Sequence, residues 1–405
     1  MKGFKKKDEH EAKLTLASGC DYSLNCHRTK LNNNVIVVGA SGSGKTSSIV
    51  SPNIRRHYGS YIVSDPKGVL YDKHKDLLEA DGYRVVKLDF THPESSAHYN
   101  PLAYIRSYDD VKKMSHAIVF GAGVQNSRDA FWALSAEMLL NSLIGFVWLE
   151  APECEQNIAM IYDIVNQMEV PPEDDPYYKT AVDLLYEEYE EKGGMPSICN
   201  AYKSIRHLTP GTFSSLKAEV SAVLGCFESP AYNNMLSYDE IGLDKIGSCK
   251  TAVFVVVSDS DRSMDMLANL FFTQAIHVLS QTADDVFGGR LPVAVQFIMD
   301  DFATSVKIDD FPRMISSFRS RYMSSMIILQ AENQLRSLYG CDAETIISNC
   351  DSYVYLGGSD IETARNIAAR SGVGLKSILQ MPIGSTWVFR RGSKPVYAKQ
   401  NKGVF

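Results

Sequence analysis

Gly39-Ala40-Ser41-Gly42-Ser43-Gly44-Lys45-Thr46 fits the pattern G-x-x-x-x-G-K-[ST]. A loop of this kind works only between a buried strand and a helix. Its backbone N–H groups turn inward around phosphate oxygens, and the helix N-terminus adds a positive dipole end. The context is right. Val35-Ile36-Val37-Val38 is a β-branched run of the sort buried on both faces of a parallel sheet, and a helix is expected from about Gly44 to Pro52 or just beyond. Gly39, Gly42, Ser43, Gly44, Lys45 and Thr46 are therefore the candidate nucleotide-binding residues. Lys45 supplies a point charge at the β/γ phosphates, and Thr46 a hydroxyl for Mg²⁺. The ligand implied is ATP with Mg²⁺.

The rest of the chain supports an α/β sheet. Strands are expected at Tyr61–Val63, Arg84–Leu88, Thr251–Val257, Val293–Met299, Ser325–Leu329, Tyr353–Leu356 and Thr386–Phe389, with helices at Val69–Glu79 and Ser263–Ser280. A phosphate loop needs an acid at the end of a neighbouring strand, and Val293–Met299 runs into Asp300-Asp301. Asp300 is the candidate Mg²⁺ ligand and Asp301 the group that orients or deprotonates the attacking water. Gln330 follows the next strand and can reach the γ-phosphate or its water. Between those strands Phe311–Arg321 reads as a basic helix with Arg313, Arg319 and Arg321. An arginine of this kind stabilises transition-state charge, in cis or from a neighbouring subunit.

From about 109 to 237 the pattern changes to helical spacing, with Phe131–Leu149 and Tyr177–Tyr189 as amphipathic helices. The expected organisation is a nucleotide-binding domain in two parts, 1–108 and 238–405, interrupted by a mostly α-helical domain at 109–237. The net charge of −7 argues against a surface that coats nucleic acid and leaves room for a locally basic channel. The eight cysteines include no C-x-x-C pair, which argues against a zinc site and for a reducing compartment.

Several segments, taken in order, resemble the TraG/TraD-type coupling proteins of conjugative type IV secretion. They are Ser64-Asp65-Pro66-Lys67-Gly68, Asp129-Ala130-Phe131-Trp132 (a D-P-F-W motif with Ala130 for Pro), and Leu291–Val293 leading to Asp300–Ala303. They continue with Arg319-Ser320-Arg321, Ile327–Gln330, Asn349–Asp351 and Leu356–Asp360. The resemblance implies a RecA-like P-loop motor with an all-α domain, assembled as a ring that is expected to be a homo-hexamer. It implies partners: single-stranded DNA, a relaxase with its relaxosome, and the type IV secretion channel. By position it makes Lys45 and Thr46 the Walker A pair, Asp300 the Walker B acid, Gln330 the sensor and Arg319 the trans-acting arginine. The family usually has Glu where this chain has Asp301. Other readings of the residues are an FtsK- or HerA-like duplex translocase, an ATP-switched docking adaptor, and an ATP binder with slow turnover.

No run is expected to reach the ~18 to 20 apolar residues that span a bilayer. Met138–Leu149 reads as a buried helix, and Lys5-Lys6-Lys7 is too short to anchor the chain alone. The expectation is a cytoplasmic motor brought to the inner face of the membrane, by a membrane partner protein if the chain is full length.

Overall fold

A computed structural model describes residues 12–121, 130–170, 172, 178–258, 261, 264–302, 307–308 and 310–401. The chain packs as two units: Met1–Lys87 with Leu243–Ser260 and Ile276–Phe405, and Leu88–Gly242 with Asp261–Ala275. The second spans more of the chain than the 109–237 read from periodicity.

The first unit is built on a nine-stranded sheet in the order β11-β10-β9-β3-β8-β7-β4-β6-β5. The central strands are β3 (Val35–Val38), β4 (Ser60–Ser64), β6 (Thr251–Val256), β7 (Val295–Met299), β8 (Met323–Leu329) and β9 (Ser352–Tyr355). Their pairings β9/β3, β3/β8, β8/β7, β7/β4 and β4/β6 are all parallel. Every residue of β3 and β8 is buried, which is why these strands read as unbroken apolar runs. On one flank β10 (Ser385–Arg390) and β11 (Val396–Lys399) run antiparallel, and β10 alternates buried and half-buried positions. β5 (Arg84–Asp89) closes the other flank.

Three strands escape the sequence reading. β1 (Lys13–Ala17) and β2 (Cys20–Ser23) form a hairpin turning at Gly19, whose φ is +74°, and β11 adds a final edge. All are short, at four or five residues, yet Leu14 and Leu16 enter the core with Ile49, Val50 and Ile54. Asn53 ties the hairpin to the phosphate-loop helix: it accepts from Thr15 N (2.9 Å) and donates to Thr15 O (2.8 Å).

Two expectations need correction. First, the acid-bearing strand is not next to the phosphate-loop strand, because the chain returns after β7 and inserts β8 between β7 and β3. Second, Phe311–Arg321 is not one helix. It is three short turns, Phe311–Met314, Ile315–Ser317 and Phe318–Arg321, ended by Tyr322 in the left-handed region at φ +67°. The phosphate-loop helix ends just beyond Pro52, as expected, passing through it to Ile54 by way of a wide π turn at Thr46–Val50. Pro52 has no N–H to give, and Asn401 Nδ2 donates instead to Ser48 O at 3.0 Å.

The second unit is helical. Ala130–Glu150 runs 21 residues and is, by length and composition, long and apolar enough to cross a membrane, which corrects the expectation that no run reaches that length. About half of it is buried within this unit. A Cβ on Gly145 would come within 2.8 Å of Ile198, and Ser142 Oγ donates to Ile198 O at 2.8 Å, so the helix Pro196–Arg206 sits close against it. The helix expected from Tyr177 begins at Ala181, where Thr180 and Asp183 form a reciprocal cap. Lys5–Lys7, Asp129 and Ala303 lie outside the described residues.

Candidate nucleotide site

The phosphate loop leaves the C-terminal end of β3 and is fastened on both sides. Gly39 N donates to Leu329 O (3.1 Å) at the end of β8, and Ala40 N to Gly357 O (2.9 Å) after β9. Gly39 has no room for a side chain: a Cβ would stand 2.5 Å from Ser43 Oγ and 2.9 Å from Leu356 Cβ. Gly42 and Gly44 take φ of +71° and +86°, which turns the loop's amides toward its interior. Ser43 Oγ is buried without a hydrogen-bond partner, an uncommon condition that a phosphate oxygen would relieve.

Lys45, 8% exposed, donates from Nζ to Gly39 O (2.8 Å) and Ala40 O (3.1 Å). Burial lowers its pKa, and Asp301 and Asp300 partly oppose this. Thr46 Oγ1 donates to Asp300 Oδ2 at 2.8 Å, so the hydroxyl and carboxylate meet across the intervening strand. Asp300 is buried, and that burial raises its pKa to about 6; the Thr46 hydrogen bond pulls it down and Asp301 pushes it up. The hard oxygens of Thr46 and Asp300 suit Mg²⁺, which takes few protein ligands and fills its shell with water and phosphate oxygens.

The raised pKa gives a test on nucleotide-free protein in EDTA. An acid with a folded pKa above its unfolded value favours folding as pH falls through the folded pKa, and costs stability above it. Asp300→Asn should therefore raise Tm at pH 7.5 by a few degrees, on the order of 1–2 kcal/mol. That gain should shrink between pH 6.5 and about 4.5. Equal destabilisation at both ends of a thermal-melt series would refute it.

Asp301 sits at φ +47°, a conformation that Asp and Asn tolerate better than longer side chains. Gln330 is exposed and immediately follows the Leu329 carbonyl that holds Gly39, so the structure brings it to the loop. Its own N–H donates to Gln334 Oε1 at 2.8 Å. Arg319 is different. It lies before the start of β8, exposed, with Nη2 3.4 Å from Cys26 O. The seven residues of β8, at about 3.3 Å each, put it roughly 20 Å from the phosphate-loop end, beyond reach of its own loop.

The Ser64–Gly68 segment lies beside the site. Ser64 Oγ donates to Asp300 O (3.5 Å), while the buried Asp65 carboxylate accepts from Tyr71 N (2.8 Å) and secures the next helix, Val69–Ala80. Two residues that sequence reasoning missed also touch the loop. A Cβ on Gly44 would stand 3.1 Å from Gln400 Oε1, and Asn401 caps Ser48 as described. Their only signal is a polar pair after a short strand, which carries no local pattern.

A β-strand, a phosphate loop with its helix, and an acid two strands away with one strand between define a RecA-like P-loop NTPase fold, here joined to a helical unit. The comparisons agree. The family described as Type IV secretory system Conjugative DNA transfer matches residues 4–374, and the chain belongs to it. VirD4 of Agrobacterium fabrum is 21% identical over 351 residues, 83% of this chain and 49% of that protein. A probable conjugal transfer protein TraG of Sinorhizobium fredii is 24% identical over 347 residues, 84% and 52%. The chain thus spans about half the length of the curated relatives it matches. Among solved structures, the conjugative coupling protein TrwBdeltaN70 with sulphate aligns with TM-score 0.70 at 16% identity, over 96% of this chain and 90% of that one. TrwB holding ADP and Mg²⁺ gives 0.68 at 15%, over 98% and 92%.

Proposed function

We propose that this chain hydrolyses MgATP and uses it to drive single-stranded DNA, with its attached relaxase, toward a type IV secretion channel. It acts in a homo-hexameric ring at the inner face of the membrane. The observation that carries the reading is the 2.8 Å contact of Thr46 with Asp300 beside the phosphate loop, in a chain of the conjugative DNA-transfer family. The nucleotide and Mg²⁺ bound by TrwB support it. Bound Mg²⁺ would draw electron density from the phosphates; the protein's part is to position and stabilise. Lys45 exchanges the Gly39 and Ala40 carbonyls for phosphate oxygens. Thr46 and Asp300 would hold the metal, Asp301 takes the proton of the attacking water, and Gln330 orients that water. Arg319 acts on the nucleotide of the adjacent subunit. The helical segment 109–237 recognises the transferred substrate. Stimulation of ATP turnover by single-stranded DNA tests the whole reading.

Asp301 gives a sharper test. Asn tolerates the left-handed backbone, so Asp301→Asn removes the charge and keeps the turn. It should retain ATP binding and lower turnover about 10²-fold or more. Asp301→Glu should keep or raise turnover at a stability cost of about 1 kcal/mol for the longer side chain at positive φ. Rapid-quench and equilibrium-binding measurements separate the two effects, and wild-type turnover by the Asn variant would assign the base elsewhere.

A further inference from the structure

The end of the sheet opposite the phosphate loop carries a cavity of about 540 Å³, where β4, β6 and β7 begin. Its polar lining is Lys13, Arg56, His57, Tyr58, Lys250 and Tyr322; Ala, Val and Pro make up the rest, and among the described residues no acid lines it. In a chain of net charge −7 this runs against the average. The volume falls in the range of ligand sites.

The cavity is firmly built. Gly59 packs so closely that a Cβ would stand 2.3 Å from Ala294 O, which locks the starts of β4 and β7 together. Two of its residues, His57 (φ +51°) and Tyr322 (φ +67°), hold left-handed backbone that non-glycine residues rarely adopt. The hydroxyls of Tyr58 and Tyr322 bond to each other, and Arg290 stacks on the Tyr322 ring at 3.7 Å.

The charges do not cancel. Arg56 pairs with Asp21 at 3.0 Å and His57 with Asp81 at 2.5 Å. Lys250 Nζ donates to His57 O (3.1 Å), and among the described residues neither Lys250 nor Lys13 has a carboxylate within ion-pair distance. Lys13, Arg56 and Lys250 are exposed, and both tyrosines are partly so. Spaced cations with aromatic surface between them suit a chain of phosphodiesters whose bases pack on rings, since every base has a π-face and every linkage a charge. A single small anion would need its donors converging on one point.

We infer that this pocket binds the backbone of single-stranded DNA, with Lys13, Arg56 and Lys250 on phosphates and Tyr58 and Tyr322 against a base. The choice of DNA rests on the function proposed above; the cationic, aromatic character of the pocket does not. None of these residues belongs to the nucleotide site.

The test is fluorescence anisotropy of a labelled oligo-dT of about 30 nucleotides against salt. Lys13→Gln with Lys250→Gln touches no ion pair, so the fold should be kept; adding Arg56→Gln completes the set. Removing one phosphate-binding cation should flatten the log–log salt slope by about 0.7, so the double variant should differ by about 1.4 and the triple by about 2. Affinity at low salt should fall about tenfold or more. Binding of a fluorescent ADP analogue should not change. If the wild-type protein binds the strand and the variants match it in affinity and slope, the pocket is not the site, and the proposed function stands. If wild type binds no strand, both fall. Displacement of the strand by millimolar inorganic phosphate in the Lys45→Ala protein would assign the pocket to small anions and overturn the inference.

Discussion

Lys45→Ala should abolish ATP hydrolysis, by about 10²–10³-fold or to background, while the protein stays folded. The structure says why the effect on chemistry should be large and that on stability small. The ammonium is buried, and its burial lowers its pKa, so it already bears a desolvation cost in the folded state. Its two acceptors belong to its own loop, and Ala40 O keeps a second donor in Ser43 N (3.1 Å) when the lysine is removed. The variant lacks the cation that the loop can turn on a phosphate chain. Steady-state turnover, with circular dichroism and a thermal melt on the same sample, checks the prediction. Near-wild-type turnover in a folded variant would remove Lys45 from the catalytic assignment.

Arg319→Ala should bind ATP and hydrolyse it roughly 10³-fold more slowly. Distance decides this: an exposed guanidinium before the start of β8 is a full strand away from its own phosphate loop, so any role at a phosphate must be at another subunit's. This predicts complementation. A ring is a head-to-tail assembly in which one face of each subunit meets the opposite face of the next. Mixing Arg319→Ala with Lys45→Ala should restore intact loop–arginine pairs at roughly a quarter of interfaces, and activity with them. Each variant alone stays inactive. Verified mixed rings that stay inactive would give Arg319 a structural role, such as the contact with Cys26 O.

Much of the site was legible because its chemistry is local. Glycines at 39, 42 and 44 encode a loop that no other residues would allow, and the unbroken runs at β3, β7 and β8 announce strands covered on both faces. Asp300 and Gln330 were readable as the residues that end such runs. The order of strands was not, since nothing in Met323–Leu329 says it will lie between β3 and β7. Periodicity was also silent on β1, β2 and β11: the strands have only four or five residues, and β11, which buries no residue, is fixed by its pairing with β10. Gln400 and Asn401 act on residues more than 350 positions earlier, a relation that exists only in the fold. The left-handed backbone of Asp301, His57 and Tyr322 is likewise set by neighbours distant in sequence.

The central claim is that this phosphate loop belongs to a DNA-driven motor that works between subunits. The measurement that tests it most directly is the ATPase rate per protomer across protein concentration, with and without single-stranded DNA. The account predicts a rate that climbs steeply as rings assemble and rises several-fold more with DNA. A rate per protomer that is constant with concentration and indifferent to DNA would contradict it.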